Sequence, residues 1–362
     1  MTGTRGKSTL TRFIAASLRE SGLSVLGKTT GSKAVIILPD GKEEEIPRKG
    51  LPTILEEKKV LGQGASLGVK ALVTELMSIR PESSFVESQR ILRPQILVIT
   101  NARLDHREEM GRTKPEIALS LASTIPPAAT VFLPEEEFYP EFEGAADKVK
   151  AKIIRVKKNG TGEWGKSEGI SPLFYFEENL RLALAVSEHL GVPKEVARRG
   201  IIKAEPDFGS LRIWEAELGT PPSPWLLVSA FAANDPESTG LILARLKERH
   251  FLSGKRLVGI LNFRQDRGDR TLQWLSALER GYFSGFSKLF SVGAHVHALR
   301  MRRRSDLLPS LTPLAAKSAP AVMEKIGEGI PGGAVLVGIG NMAGLGAALV
   351  EHWAKIGRPY AP

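Results

Sequence analysis

The stretch Gly3-Thr4-Arg5-Gly6-Lys7-Ser8 stands almost at the start of the chain and decides how the rest is interpreted. Glycines let a backbone turn tightly enough to point successive N–H groups at phosphate oxygens, and a following helix directs the positive end of its dipole at the same anion. That helix is predicted over residues 9–20, where apolar side chains recur at spacings of three and four: Leu10, Phe13, Ile14 and Leu18. The pattern predicts a nucleoside triphosphate site, with Lys7 on the β- and γ-phosphates and Ser8 on Mg²⁺.

The loop differs from the longer Walker pattern on its amino-terminal side. Only Met1 and Thr2 precede it, so no strand is expected ahead of the loop, and methionine stands where the longer pattern has glycine. Two alternatives to an ordinary phosphate loop therefore stay open, namely a chance turn and a shortened or misassigned amino terminus.

The composition limits the chemistry available to the chain. It has 362 residues, of which 42% are hydrophobic and 25% are charged, as expected for a soluble protein with room for two domains. It has no cysteine, which excludes disulfides, thiolate nucleophiles and cysteine-type zinc sites and agrees with a reducing cytoplasm. The net charge of +10 indicates either a polyanionic partner or a solvated basic surface.

Apolar runs typical of strands alternate with helical patterns along the chain. These runs are Val35–Leu38, Val69–Thr74, Gln95–Thr100, Thr130–Leu133, Ile153–Val156, Trp225–Ala230, Leu257–Asn262, Lys288–Ser291 and Ala334–Ile339. The alternation predicts the α/β class, with doubly wound, mainly parallel sheets and crossover helices. Because the breaker-rich segment Glu205–Gly209 separates two such patterns, we expect a phosphate-loop domain over 1–205 and a smaller Rossmann-like domain over 206–362 that meet across a cleft.

Two segments invite other interpretations. Pro221–Pro224 resembles a linker, but it lies between strand-like runs and is predicted to form a hairpin loop. The apolar stretch Gly332–Val350 resembles a membrane span, but its six glycines favour a strand, a glycine turn and a helix. No signal peptide is expected, because the phosphate loop occupies the amino terminus.

Polar residues follow two of the predicted strands at their carboxyl ends. Glu75 follows Val69–Thr74, and the run Asn101-Ala-Arg-Leu-Asp105-His106 follows Gln95–Thr100. Open α/β sheets bind ligands at this edge, and Mg²⁺ prefers oxygen ligands. The sequence therefore predicts that Glu75 lies near Ser8 and shares a metal ion with it, although a lone glutamate at a strand end is often a surface residue.

These motifs together resemble those of the Mur ligase superfamily, whose ATP loops read Gly-Thr-x-Gly-Lys-Thr/Ser and whose second motif is Asn-x3-Asp-His. Within it, the chain is most similar to the ligase subunits of poly-γ-glutamate synthases. The segments that carry this similarity run in order from residue 3 to about 344: Gly3–Ser8, Gly27–Gly31, Glu75–Pro81, Asp105–Thr113, Phe231–Pro236 with Ser238 and Thr239, Asn262–Thr271 and Gly338–Gly344.

The resemblance implies roles for individual residues. It implies a nucleotide site formed by Gly3, Thr4, Arg5, Gly6, Lys7, Ser8, Thr9, Asn179 and Arg212, with Arg212 reaching ATP across the domain cleft. Ser8 and Glu75 would hold one Mg²⁺, and His106 would bind or position a second. Lys7, His106, Arg212 and Asp235 would act in catalysis. The acidic substrate would be bound by Asn234, Arg264, Asp266, Arg267 and Arg270, with Asp269 beside them. A solvated helix face is the alternative for the three arginines, which stand at spacing three.

The resemblance also implies an activity, which is ATP-dependent amide bond formation through an acyl phosphate, joining glutamate units into poly-γ-glutamate. The implied cofactors are ATP and Mg²⁺, with room for a second ion and for Mn²⁺ as a substitute. Glutamate, the growing chain and small membrane subunits would be the partners, at the cytoplasmic face of the membrane, without nucleic acid. Whether the chain forms a homo-oligomer and whether a lysine such as Lys152, Lys157 or Lys158 is carbamylated both stay open.

Two alternatives remain from the residues themselves. One is a folate-tailing or other amino-acid ligase of the same superfamily. The other is a P-loop regulator or nucleic-acid ATPase that docks through the basic run Arg300–Arg304.

Overall fold

The computed structural model describes residues 1–31, 33–48, 50–158, 177–248, 250–252, 254–265, 268–294 and 311–360. Contacts between Cα atoms divide the chain into two compact units, Met1–Phe208 and Gly209–Pro362. Each unit is an α/β structure, which confirms the predicted fold class.

The first unit contains seven strands and the helices that connect them, within its described residues. The strands are β1 (Val25–Thr29), β2 (Val35–Ile37), β3 (Glu43–Glu45), β4 (Ala71–Thr74), β5 (Ile96–Val98), β6 (Thr130–Pro134) and β7 (Lys152–Val156). The α-helices are α1 (Lys7–Glu20), α2 (Glu56–Ser66), α3 (Pro81–Phe85), α4 (Lys114–Ala122), α5 (Pro140–Lys148), α6 (Glu177–His189) and α7 (Lys194–Ile202). A π-helical segment, Val86–Leu92, continues α3, and a 3₁₀ turn, Glu135–Glu137, follows β6.

The two amino-terminal residues connect the sheets of this unit. One sheet has the order β3-β2-β1-β4 and the other the order β5-β6-β7. Thr2 forms a parallel bridge with Ile99, its N–H donates to Val98 O (2.8 Å), and on the other side Leu76 N donates to Met1 O (2.8 Å). Met1 and Thr2 therefore link β4 to β5 through backbone hydrogen bonds on both sides. Within the described residues no strand precedes the loop, as expected, and this isolated bridge stands where a strand would lie between β4 and β5.

Helix α1 is the centre of the first core. The predicted apolar face is buried, with Leu10 and Leu18 at 0% and 1% exposure and with Phe13 and Ile14 equally enclosed. This face packs with α6 and α7, and Ser17 Oγ donates to Ala197 O (3.2 Å) across the contact with α7. Burying each of these side chains contributes about 1.5–3 kcal/mol, so packing holds α1, and the loop ahead of it, in place.

The second unit is built on one seven-stranded sheet with the order β12-β11-β10-β13-β9-β8-β14. Its strands are β8 (Arg212–Leu218), β9 (Ser223–Ser229), β10 (Leu257–Phe263), β11 (Lys288–Gly293), β12 (Leu311–Pro313), β13 (Val335–Gly340) and β14 (Arg358–Pro359). Its helices are α8 (Pro236–Glu248), α9 (Gly268–Glu279), α10 (Ala319–Gly329) and α11 (Leu345–Ile356). Strands β12 to β9 in this order are parallel, whereas β8 and β14 are antiparallel to their neighbours.

Two expectations about this unit are confirmed. Residues 219–222 connect β8 to β9 as the loop of an antiparallel hairpin, which is the predicted role of the proline-rich segment. The apolar stretch near the carboxyl end forms β13 and α11, with Gly344 at φ 68° just before the helix. Among the described residues, no helix combines the length and apolarity needed to cross a bilayer.

Candidate active site

The loop between Thr2 and α1 has the backbone shape of an anion cradle. Gly3 and Gly6 have φ values of 116° and 87°, in the left-handed region that favours glycine. A Cβ on Gly3 would collide with Thr100, and one on Gly6 would lie 2.8 Å from the Asn179 amide. Since Gly6 precedes α1 and has no side chain with which to cap it, the first turn of the helix keeps N–H groups for an external anion.

Asn101 fixes the shape of this loop from the neighbouring strand. Its Oδ1 accepts from Thr4 Oγ1 (2.6 Å) and from Arg5 N (3.1 Å), and its Nδ2 donates to Arg5 O (3.0 Å). Thr4 Oγ1 also accepts from Arg103 N (2.9 Å). The asparagine of the second motif is thus a loop anchor, a role that sequence analysis did not assign to it.

Lys7 lies in the cradle with its charge partly withdrawn from water. Its Nζ donates to Gly3 O (2.7 Å) across the loop. Desolvation lowers the pKa of Lys7 below its ordinary value of 10.5, against the opposing influence of the Glu75 carboxylate. A polyphosphate beside Nζ would supply the counter-charge that favours the ammonium form. The geometry therefore fits the predicted phosphate contact.

Glu75 is held between two hydroxyl groups. Ser8 Oγ donates to its Oε2 (2.6 Å), Thr30 Oγ1 donates to its Oε1, and the residue is 1% exposed. Two hydroxyls and a carboxylate form an all-oxygen donor set, which suits a hard cation such as Mg²⁺ that completes its shell with phosphate and water. The predicted proximity of Ser8 and Glu75 is observed, and Thr30 is an additional member that sequence analysis missed.

Asp105 and His106 form the next part of this edge. Arg5 Nη2 lies 3.1 Å from Asp105 Oδ2, which ties the second motif to the loop. His106 has a left-handed φ of 47°, its N–H donates to Asp105 Oδ1 (2.9 Å), and its Nε2 lies 3.5 Å from Asp105 Oδ2. Among the described residues, no three His, Asp or Glu side chains cluster as a metal site. The second-metal role of His106 therefore stays a prediction.

Asn179 on α6 completes the loop surroundings. It is 3% exposed and its amide faces Gly6, while its Oδ1 has no hydrogen-bond partner among the described residues. Buried polar atoms are nearly always satisfied, so an unsatisfied acceptor indicates a missing donor. The amino group of a nucleotide base is a donor of the kind that this oxygen requires.

The described residues among those predicted for the acidic substrate, Asn234, Arg264 and Arg270, lie at the carboxyl edge of the second sheet. Asn234 and Asp235 follow β9, and Asp235 Oδ1 accepts from Ser238 N (2.8 Å) in the first turn of α8. Asn262 is the last residue but one of β10, and its Nδ2 donates to Asn341 O (2.6 Å) and to Ala343 O (3.1 Å), which follow β13. At this edge, polar side chains therefore connect the ends of the strands to neighbouring backbone groups.

The arginines of this region do not share one helix. Arg264 directly follows β10, α9 begins only at Gly268, and Arg270 in its first turn is 7% exposed. The alternative of a solvated helix face was therefore wrong for these two arginines. Asp266 and Arg267 lie outside the described residues, and Arg212 begins β8.

Comparisons with known proteins agree with both units. Residues 1–174 match the Mur ligase middle domain, and residues 217–356 match the poly-gamma-glutamate synthase CapB C-terminal domain. PGA synthase CapB of Bacillus subtilis (strain 168) is 33% identical over 354 residues, which cover 96% of this chain and 88% of that protein. Capsule biosynthesis protein CapB of Bacillus anthracis is 34% identical over 276 residues, covering 75% of this chain and 58% of that protein.

Solved structures share the fold at low sequence identity. A bifunctional folylpolyglutamate synthase/dihydrofolate synthase from Yersinia pestis, complexed with AMPPNP and Mn, has a TM-score of 0.66 and 16% identity and covers 98% of this chain and 87% of its own. The apo form of L. casei FPGS has a TM-score of 0.59 and 18% identity and covers 97% of this chain and 87% of its own.

Proposed function

This chain belongs to the poly-γ-glutamate synthase CapB family, with a Mur ligase middle domain, and on that premise we propose that it joins glutamate units into poly-γ-glutamate. Mur ligases are ATP-dependent amide ligases, and membership of this family makes the chain an ATP-dependent amide ligase. The observation that carries the proposal is the cluster of Ser8, Glu75 and Thr30 beside Lys7, in a loop shaped for phosphate.

The reaction would proceed in two balanced steps. A carboxylate oxygen of one substrate attacks the γ-phosphorus of ATP, ADP leaves, and an acyl phosphate forms. The amino nitrogen of the second substrate then attacks the carbonyl carbon, the bond from that carbon to the phosphate oxygen breaks, and inorganic phosphate leaves while the amine loses a proton. Exclusion of water would protect the acyl phosphate from hydrolysis.

The first unit would bind and orient the phosphates. Backbone N–H groups of the Gly3–Ser8 loop and the Lys7 ammonium would hold the transferred group, where charge builds up during its transfer. Ser8, Glu75 and Thr30 would hold Mg²⁺, which supplies charge neutralisation and orientation when bound. A second ion near His106, and replacement by Mn²⁺, belong to the same proposal. Asn179 would accept from the base.

The second unit would bind the amino acid. Asn234, Arg264 and Arg270 stand at its carboxyl edge with Asp235, and arginine forks suit the carboxylates of glutamate. Asp266 and Arg267 are included in this pocket on sequence grounds. Arg212 is proposed to reach ATP, as its place in the family pattern implies. The net charge of +10 supports a polyanionic product.

The proposed partners follow from the same assignment. They are free glutamate, the growing poly-γ-glutamate chain and small membrane subunits that would hold the enzyme at the inner face of the membrane. Neither nucleic acid nor a fixed homo-oligomer is part of the proposal.

A substrate survey tests this function. ADP release is measured with each amino acid, with and without a short γ-glutamyl oligomer, and we expect stimulation by glutamate that rises when the oligomer is added. Stimulation only with a folate-type acceptor would assign the chain to the folate-tailing alternative. Stimulation by nucleic acid without any effect of glutamate would contradict the ligase proposal altogether.

A further inference from the structure

Three buried charged side chains lie behind Glu75, and the proposed reaction does not use them. Lys28 on β1, Glu57 on α2 and Glu87 in the π-helical segment Val86–Leu92 are each 0% exposed. Lys28 Nζ forms an ion pair with Glu57 Oε1. We refer to these three residues as the buried charge cluster.

Glu87 holds the backbone that follows the metal ligand. Its Oε1 accepts from Met77 N (2.9 Å) and its Oε2 accepts from Ser78 N (2.9 Å). These two N–H groups come second and third after Glu75 in the chain. One carboxylate therefore binds the N–H groups of two successive peptide units, on either side of the Met77 Cα, and fixes the course of the segment Glu75–Ser78.

Glu57 and Lys28 hold the same segment from its other end. Thr74 Oγ1 donates to Glu57 Oε2 (3.2 Å), one residue before Glu75, and Glu75 N donates to Lys28 O (3.1 Å). The backbone is thus tied to the buried charge cluster immediately before Glu75 and again shortly after it. In front, the Glu75 side chain meets the hydroxyls of Ser8 and Thr30.

A charge cluster that is fully buried contributes little to the stability of a fold, because desolvation of the ions opposes their attraction. Burying carboxylates and an ammonium costs several kcal/mol per ion, and packed apolar side chains of similar volume serve stability as well or better. Burial raises the pKa of Glu57 to about 7, helped by the neighbouring Glu87 and opposed by Lys28.

We propose that Glu87 and Glu57 are positioning residues that fix the segment Glu75–Ser78 and thereby set the affinity of the Glu75 site for a divalent cation. The inference rests on the assignment of Glu75 as a metal ligand but not on the identity of the amino acid. Groups that hold metal ligands in place alter metal affinity by about 10- to 100-fold when they are removed.

The substitution Glu87→Gln tests this directly. The amide keeps the size of the side chain but has one acceptor oxygen, so one of the two N–H groups would face an NH₂ group. We expect Mn²⁺ affinity, measured by electron paramagnetic resonance with a non-hydrolysable ATP analogue, to fall about 10- to 100-fold. At saturating Mg²⁺, kcat for ADP release should stay within about threefold of the wild type, because the loop and Lys7 are untouched.

Glu56→Gln is the matched control. Glu56 precedes Glu57 on α2 and is also buried. Its carboxylate accepts from Arg48 Nε (2.9 Å) and Nη2 (3.0 Å) rather than from the segment Glu75–Ser78. It should lower the unfolding temperature without changing Mn²⁺ affinity. The proposal is overturned if Glu87→Gln leaves Mn²⁺ affinity unchanged, or if both variants lower it in proportion to their loss of stability.

A second variant covers a failure of Glu87→Gln to fold. Glu87→Asp keeps the charge and shortens the side chain, so we expect a smaller shift of Mn²⁺ affinity in the same direction. Unchanged affinity, or a failure of this variant to fold as well, would assign Glu87 to the fold alone and reject the positioning role. A chain that binds Mn²⁺ and nucleotide normally but does not respond to glutamate would contradict the proposed function and not this inference.

Discussion

The carboxyl edges of the two sheets are built in different ways. In the first unit, functional side chains bind one another directly, as Ser8 binds Glu75 (2.6 Å) and Thr4 binds Asn101 (2.6 Å). In the second unit, the polar side chains bind backbone, as Asp235 caps α8 and Asn262 joins β10 to the turn after β13. The first edge is therefore organised for its ligand in advance, whereas at the second edge Asp235 and Asn262 hold backbone segments in place.

This difference agrees with the ligands that we assign to the two edges. Phosphates and a metal ion present the same geometry in every reaction of the class, so a rigid site binds them without a cost of reorganisation. An amino acid and a chain of varying length differ between reactions, and loop side chains on a rigid sheet accommodate such differences. We expect mutations at the first edge to affect every substrate and mutations at the second to affect glutamate alone.

The largest effect is expected at the first edge, from Lys7→Ala. Removing the ammonium that faces the phosphates should lower kcat for ADP release by about 10²- to 10³-fold with every amino acid tested, because its charge stabilises the transferred group. Steady-state rates over a glutamate titration measure this. If kcat fell with glutamate but basal ATP hydrolysis did not change, the expectation that the first edge serves every substrate would be contradicted.

Glu75→Gln should follow in size and should act through the metal. The amide keeps one oxygen for Ser8 or Thr30 but loses the charge, so the Mg²⁺ concentration for half-maximal rate should rise by about a hundredfold. Thermal unfolding serves as the control and should change far less than the Mg²⁺ dependence. Normal Mg²⁺ dependence in this variant would remove Glu75 from the site.

The next effect tests the second edge. Arg264→Ala removes a charge-assisted carboxylate contact worth about 1.5–3 kcal/mol, which predicts a roughly 10- to 100-fold rise in KM for glutamate. ATP binding, measured by calorimetry, should not change. Arg267→Ala is expected to behave in the same way on sequence grounds. Wild-type glutamate titrations in both variants would place the carboxylate elsewhere.

The smallest effect concerns stability rather than turnover. The pKa of Glu57 is raised from 4.5 to about 7, so between these values the folded chain holds a proton that the unfolded chain has released. Stability from this group is present below about pH 4.5 and declines as pH rises to about 7, by on the order of 1–3 kcal/mol. Urea unfolding should show this decline in the wild type but not in Glu57→Gln. Parallel pH curves would show that Glu57 does not titrate in this range.

Local patterns predicted much of the fold. The period of three and four in α1 follows from its one-sided burial against α6 and α7, and the fully apolar runs marked strands that are covered on both faces. Strand β8 carried no such run, because exposed Glu215 and Glu217 alternate with its buried residues. The Met1–Thr2 bridge could not be foreseen, since its partners are the distant residues Leu76 and Val98.

The candidate site was predictable where functional side chains directly follow a strand or lie in a glycine-rich turn. Glu75 and Asn101 stand directly after predicted strands, Asp105 follows Asn101 in the same loop, and parallel strands bring their carboxyl ends together. Thr30 carries no comparable signal, because one hydroxyl in a loop resembles any other. The pairing of Lys28 with Glu57 and of Glu87 with Ser78 depends on how neighbouring elements pack, and the sequence carries no local pattern for either contact.

Transfer of oxygen from substrate to phosphate is the most direct measurement of the central claim, that the chain activates a carboxylate. A γ-glutamyl oligomer and glutamate, both labelled with ¹⁸O in every carboxyl group, are incubated with ATP and Mg²⁺, and the released phosphate is analysed by mass spectrometry. An acyl phosphate requires that each phosphate carry one ¹⁸O from the activated carboxylate and that one amide bond form for each ADP. Phosphate that carries no ¹⁸O, released without amide formation, would show hydrolysis alone and would contradict the account.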